Sequence, residues 1–271
     1  MPEGHTLHRL AKLHQRRFAG GLVRVSSPQG RFADGAALVD GATLTKAEAW
    51  GKHLLHHYDS GLVVHIHLGL YGTFTESPAP LSEPVGQVRM RMIGAGRSAD
   101  TLYGTDLRGP TACEVLHDPE VEALTARLGP DPLRRNADPG RALERIRRSN
   151  RSIAALLMDQ SVVAGVGNVY RAEVLFRHGI SPQRPGRAVT AEEWAAVWAD
   201  LVALMKVGVR KGAIVVVRPE HDRGAPSYAV GKPRTYVYRR AGEPCRICGT
   251  TVAHAVLEGR NLFWCPTCQP I

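Results

Sequence analysis

The sequence predicts an α+β multidomain chain: a β domain led by a helix, then a helical domain, then a C-terminal four-cysteine zinc-ribbon hairpin. Three observations carry this. Apolar residues alternate with polar ones from about 22 to 116, helical spacing takes over after Pro119, and two Cys-x-x-Cys pairs close the chain. The boundaries drawn on this basis are 1–118, 119–211, a loop and linker over 212–240, and 241–271.

The first element is a short amphipathic helix, because Leu7, Leu10, Ala11 and Phe18 recur near helical spacing before Gly20-Gly21 stops the pattern. The β domain follows. Val64, Ile66, Leu68 and Leu70 alternate, as do Val88, Met90 and Met92, which fits an antiparallel sandwich or barrel. Helices are expected over 119–128, 138–148, 152–160, 168–178 and 190–207. Asp138-Pro139 and Thr190-x-x-Glu193 mark two of the starts, and Asn168 is read as an N-cap. Residues 212–240 lack a period and read as a long loop entering a strand at Thr235–Tyr238. No tandem repeat or low-complexity tract is present.

Thirty-five Lys and Arg against twenty-five Asp and Glu leave a formal charge of +10 in 271 residues, which suits a polyanionic partner. Charge alone leaves nucleic acid, a membrane surface and plain solubility open. Twenty-nine of the thirty-five cations are arginine. That bias fits a GC-rich genome, and it also fits bidentate phosphate contacts. No basic-then-apolar leader and no run of eighteen apolar residues occurs, so the expectation is a cytosolic protein with no membrane partner.

Cys245, Cys248, Cys265 and Cys268 form two Cys-x-x-Cys pairs separated by sixteen residues, the spacing of a four-thiolate zinc site closed by a β-hairpin. Four thiolates fill a tetrahedron and leave no place for water, so the one Zn2+ expected is structural. Cys113 is left over as a structural thiol. Arg260 follows Gly259 near the hairpin tip, where it is either solvated surface or a phosphate contact. Residues 152–178 place two apolar helical stretches around Gly165-Val166-Gly167-Asn168, which is either an ordinary helical hairpin or a turn that lets backbone amides approach a phosphate.

Pro2-Glu3-Gly4, Trp50-Gly51-Lys52, Gly165-Val166-Gly167-Asn168-Val169-Tyr170, and Gly259-Arg260 just before Cys265-Pro-x-Cys-Gln occur together and in order. In this the chain resembles the formamidopyrimidine-DNA glycosylase and endonuclease VIII family over essentially its whole length, most closely the actinobacterial endonuclease VIII type. The resemblance implies an N-terminal β-sandwich, a helix–two-turn–helix domain containing 152–178, and a zinc finger. It implies a bifunctional glycosylase and abasic-site lyase acting as a monomer on damaged duplex DNA, in the cytosol or, in a bacterium, on the nucleoid. Position 6 is a glutamate in the formamidopyrimidine branch and Thr6 here, so oxidised pyrimidines are the expected substrates.

By the same resemblance the amine of Pro2 attacks the sugar after Met1 is removed, and a secondary amine forms a permanently cationic iminium. Glu3 moves protons, Lys52 serves β-elimination and a phosphate, and Arg260 assists δ-elimination. Lys52, Asn168, Arg260 and Arg127 clamp phosphates. Gly69, Leu70 and Tyr71 form the wedge that fills the gap left by the everted nucleotide, although some relatives carry a polar side chain where Gly69 stands. Lesion choice is assigned to 212–240, where Tyr228 and Tyr236 either stack on a base or pack a junction. Two other readings stay open: an oxidised-purine glycosylase and a non-catalytic zinc-ribbon protein that binds damaged DNA.

Overall fold

The computed structural model describes residues 2–94, 102–222 and 234–271, so Tyr228 lies outside the described residues. The chain forms two compact units, Met1–Arg127 and Leu128–Ile271.

Unit 1 opens with α1 (Gly4–Arg17), followed by β1 (Gly21–Ser26), α2 (Ala33–Val39), β2 (Thr43–Trp50), β3 (His53–Tyr58), β4 (Val63–His67), β5 (Thr73–Pro78), β6 (Val88–Gly94), β7 (Tyr103–Arg108), β8 (Ala112–Leu116) and α3 (Asp118–Ala126). The strands run antiparallel in the order β5-β7-β6-β1-β2-β3-β4-β8. β1 changes partner along its length, pairing with β2 through Gly21 and Leu22 and with β6 from Val23 to Ser26. That switch folds one ribbon of strands into two facing sheets, a sandwich rather than a closed barrel. Leu7, Val23, Leu44, Leu54, Ile66, Met90, Met92 and Leu107 fill the space between them.

Alternation holds in β6, where Val88, Met90 and Met92 are fully buried. It fails in β3 and β4, which are covered on both faces. Leu55 and Val63 point away from the main core and pack with Leu124 of α3. β4 ends at His67, and Leu70 lies in the turn beyond it, 41% exposed.

Unit 2 contains α4 (Pro139–Arg147), α5 (Ile153–Met158), α6 (Asn168–Arg177), α7 (Ala191–Lys211), β9 (Ala253–Leu257) and β10 (Arg260–Trp264). Asp138 caps α4 by accepting the Gly140 N–H, and Thr190 with Glu193 forms a capping box on α7. The hairpin β9–β10 has no separate core. Leu262, Phe263 and Cys265 join Tyr170, Phe176, Leu201 and Met205 in a single cluster.

Two local expectations are corrected. Asn168 is the first residue of α6 and Gly167 is the N-cap, in extended conformation. Thr235–Tyr238 is not a strand. The N–H groups of Tyr236, Val237 and Tyr238 all converge on the buried carboxylate of Glu173, at 2.6, 3.0 and 2.8 Å. Consecutive amides of a strand point to opposite sides and cannot meet one acceptor.

Candidate DNA-processing site

The site is built separately in each unit. In unit 1, Pro2 is half-buried and Glu3 is fully buried as the N-cap of α1. Both residues therefore lie at the positive end of the α1 dipole. Burial lowers the neighbouring His5 to about 4, so that imidazole is neutral at physiological pH.

The helix is fixed along its length by polar groups that composition did not reveal. His14, fully buried, has Nδ1 2.9 Å from His56 Nε2 and Nε2 3.2 Å from Glu76 Oε1. Arg17 pairs with Glu76 and lies over the Tyr103 ring, 3.9 Å from its centroid. Gln15 accepts the Ala47 N–H at 2.7 Å. Together these anchor α1 to β2, β3 and β5, and with it the two residues at its head.

Lys52 sits in the tight turn between β2 and β3, half-buried, where Trp50 pairs with His53. Three histidines extend from it. His53 Nδ1 is 2.8 Å from His65 Nε2, His65 Nδ1 is 2.9 Å from Glu114 Oε1, and His67 pairs with His53 across the strands. Glu114 fixes the proton of His65 on Nδ1, which leaves Nε2 to accept from His53. Burial lowers His53 to about 3, with His65, His67, Arg127 and Lys52 adding to the effect. Lys52 and Arg127, the exposed C-cap of α3, therefore share one electropositive neighbourhood.

The turn after β4 exposes the expected wedge. Tyr71 is 86% exposed, an unusual position for an aromatic ring in a folded chain. Neither it nor Leu70 is a core residue.

In unit 2 the glycine turn is held by Gln160, which no motif singled out. Its side-chain oxygen accepts the Gly165 N–H at 2.9 Å, and its amide donates to the Val166 carbonyl at 3.0 Å. Gly165 takes φ +90°, open to glycine with little strain. Asn168 is 4% exposed, and Arg171, one turn on and 1% exposed, hydrogen-bonds its side-chain oxygen. Arg171 also donates to the Asn261 carbonyl at 2.8 Å, so the residues beside Asn168 and Arg260 are joined. Arg151 adds a second tie, reaching Glu258 at the hairpin tip (2.9 Å) and Asp159 before the glycine turn (3.0 Å). The Arg260 side chain is exposed.

The four cysteine sulfurs lie within 4.8 Å of one another. Two of the separations are 3.9 Å (Cys245 to Cys268) and 3.4 Å (Cys248 to Cys265). A tetrahedron of thiolates at the usual zinc–sulfur bond length has edges of about 3.8 Å, so the cluster fits the metal. All four positions are protein sulfur, which makes the zinc structural. Burial pushes the fifth thiol, Cys113, up to about 12, consistent with an inert packing role.

Family models described as the formamidopyrimidine-DNA glycosylase N-terminal domain, the formamidopyrimidine-DNA glycosylase H2TH domain and the zinc finger found in FPG and IleRS match residues 1–113, 128–218 and 242–271. The curated protein named Endonuclease 8 1 of Mycobacterium tuberculosis is 66% identical over 273 residues, covering 99% of this chain and all of that one. The crystal structure of the MutM (Fpg) protein of Thermus thermophilus superposes with a TM-score of 0.73 at 29% identity, covering 99% of this chain and 98% of that one. A Lactococcus lactis formamidopyrimidine-DNA glycosylase shares the fold at 19% identity, with a TM-score of 0.79 over 99% and 100% of the two chains. The chain belongs to the formamidopyrimidine-DNA glycosylase and endonuclease VIII family.

Proposed function

We propose that the protein excises oxidised pyrimidines from duplex DNA and then cleaves the abasic site by β,δ-elimination, acting as a monomer in the cytosol or on the nucleoid. The observation that carries this reading is the Pro2-Glu3 pair at the head of α1, with Glu3 fully buried directly beside the amine-bearing residue. The full-length likeness to a protein named Endonuclease 8 1 supports the lesion class, as does Thr6 in place of a glutamate. The Lactococcus lactis relative is bound non-covalently to DNA containing an abasic site, which supports the partner. Among the described residues no helix is long and apolar enough to cross a membrane.

The reaction starts when Met1 is removed and the Pro2 nitrogen is exposed. Its lone pair forms a bond to C1′, the bond from C1′ to the base breaks, and the base leaves. The base takes the bonding pair and a proton from water, while the Pro2 nitrogen gives up its N–H proton to the Glu3 carboxylate, which passes it to the ring oxygen as the sugar opens to a cationic iminium. Loss of a C2′ proton expels the 3′ phosphate, with Lys52 on that side. A second elimination expels the 5′ phosphate with help from Arg260, and water releases Pro2. Lys52, Arg127, Asn168 and Arg260 hold the flanking phosphates throughout. Leu70 and Tyr71 fill the stack, which lowers the cost of keeping the nucleotide everted.

The test is product analysis on matched duplexes carrying thymine glycol or 8-oxoguanine. Faster release of thymine glycol with a one-nucleotide gap ended by phosphates supports the reading. Preference for 8-oxoguanine favours a purine enzyme, and tight binding without cleavage favours a damage-binding protein.

A further inference from the structure

The turn after β4 closes on itself through the Gly72 N–H to the Leu68 carbonyl at 2.9 Å, yet nothing within it explains why Leu70 and Tyr71 are held outward. The explanation lies in the turn between β7 and β8. Thr111 donates its backbone N–H to the His67 carbonyl at 2.9 Å, and its Oγ1 lies 3.0 Å from the same carbonyl and 2.7 Å from His67 Nδ1. That Nδ1 also accepts the Gly69 N–H, at 3.2 Å. One threonine and one imidazole thus tie the end of β4, the first residue of the wedge and the neighbouring turn into a single knot.

Position 69 shows what this arrangement displaces. Gly69 has φ +64°, and a Cβ placed on it would come within 2.3 Å of Thr111 Cγ2, 3.1 Å of Oγ1 and 3.3 Å of Cβ. The threonine side chain occupies the volume that a side chain at 69 requires. The neighbouring turn also abuts the wedge at Gly109, where a Cβ would lie 3.7 Å from the Tyr71 carbonyl oxygen.

We propose that Thr111 is the positioning residue of the wedge: it stands in the place of a residue-69 side chain and, through His67, holds Gly69 so that Leu70 and Tyr71 project into the DNA stack. This rests on the wedge role given to Leu70 and Tyr71 above. Thr111 acts through the turn and does not touch the reacting sugar.

The test compares Thr111→Val, which keeps the shape and removes the hydroxyl, with Thr111→Ser, which keeps the hydroxyl. Two readouts separate positioning from general stability. One is the fluorescence of 2-aminopurine beside a tetrahydrofuran abasic analogue in a duplex, which rises when the stack is opened. The other is the ratio of duplex excision to cleavage of a single-stranded abasic oligonucleotide, which needs no wedge. Thr111→Val should lower duplex excision and the fluorescence change roughly 3- to 10-fold, the factor carried by one hydrogen bond of ordinary net strength, with single-strand cleavage unchanged. Thr111→Ser should stay near the parent. Gly69→Asn should be impaired and regain duplex activity when combined with Thr111→Gly, because the clash is removed. Asparagine is chosen because it tolerates positive φ.

Parent-like duplex excision and fluorescence in Thr111→Val, or no recovery in the double variant, overturns the proposal. A Leu70→Ser/Tyr71→Ser variant that also excises normally from duplex overturns the wedge reading itself. If Thr111→Val fails to fold, the Gly69→Asn pair and Thr111→Ala decide.

Discussion

Arg171 reaches the side chain of Asn168 and the backbone carbonyl of Asn261 through the same guanidinium nitrogen. Asn168 is the first residue of α6 and Asn261 follows Arg260, so one buried arginine sets the spacing of two groups assigned to phosphates. Arg171→Lys removes the planar fork while keeping the charge. Affinity for an abasic-analogue duplex, measured by fluorescence anisotropy, should fall roughly 10-fold, since hydrogen bonds to charged groups are stronger than neutral ones. Zinc content should remain at one per chain.

Salt dependence follows from the number of phosphates held. For roughly five neutralised phosphates, log K should fall against log salt with a slope of about −4.5. Lys52→Gln should reduce the steepness by about 0.9, the share of one contact. A slope near zero for the parent contradicts the electrostatic clamp.

Acid should destabilise unit 1. His5 is lowered to about 4 and His53 to about 3, and His56, His65 and His67 are lowered in the same direction, chiefly by burial. The fold favours neutral imidazole, so between pH 6.5 and about 3 the unfolded chain binds more protons and stability falls as pH drops through that window. At about 1.4 kcal/mol per pH unit, His5 alone accounts for a loss on the order of 3 kcal/mol once the pH reaches its folded value. Glu76 and Asp106, held below the ordinary carboxylate range by His14 and Arg17 and by Arg91 against the opposing effect of burial, act with the same sign. Urea midpoints between pH 7 and 4 check this, and a flat profile contradicts it.

Zinc removal should act on unit 2. Stripping the metal with a thiol-blocking mercurial and a chelator leaves β9–β10 held only by its share of the common core. Duplex binding should collapse as Arg260 loses its platform, while the near-ultraviolet signal of unit 1 persists. Full binding by metal-free protein contradicts a structural role for the zinc.

Some of these features are written in local sequence, and others depend on residues far apart in the chain. The cysteine spacing specified the hairpin because a tetrahedral ion accepts only ligands brought together by tight turns, as at Cys245-x-x-Cys248. The alternation of Val88, Met90 and Met92 disclosed β6 because one of its faces is buried and the other is not. β3 was less legible, since Leu54 serves one core and Leu55 another. The segment Thr235–Tyr238 has strand-like composition, but Glu173, sixty-three residues before Tyr236, takes its amides. Propensity carries no record of so distant a partner. The same is true of Gln160, Arg151, Arg171 and Thr111, which look like ordinary polar residues until folding sets them beside Gly165, Glu258, Asn168 and Gly69.

Covalent attack on DNA by the Pro2 amine is the step on which the proposed reaction turns. The direct measurement is borohydride trapping on an abasic duplex with three forms: the processed protein, Pro2→Gly, and a form that retains Met1. A stable adduct should form with the processed protein only, together with retained duplex binding by the other two. An adduct of equal yield from Pro2→Gly or from the Met1-retaining form would show that another group attacks the sugar.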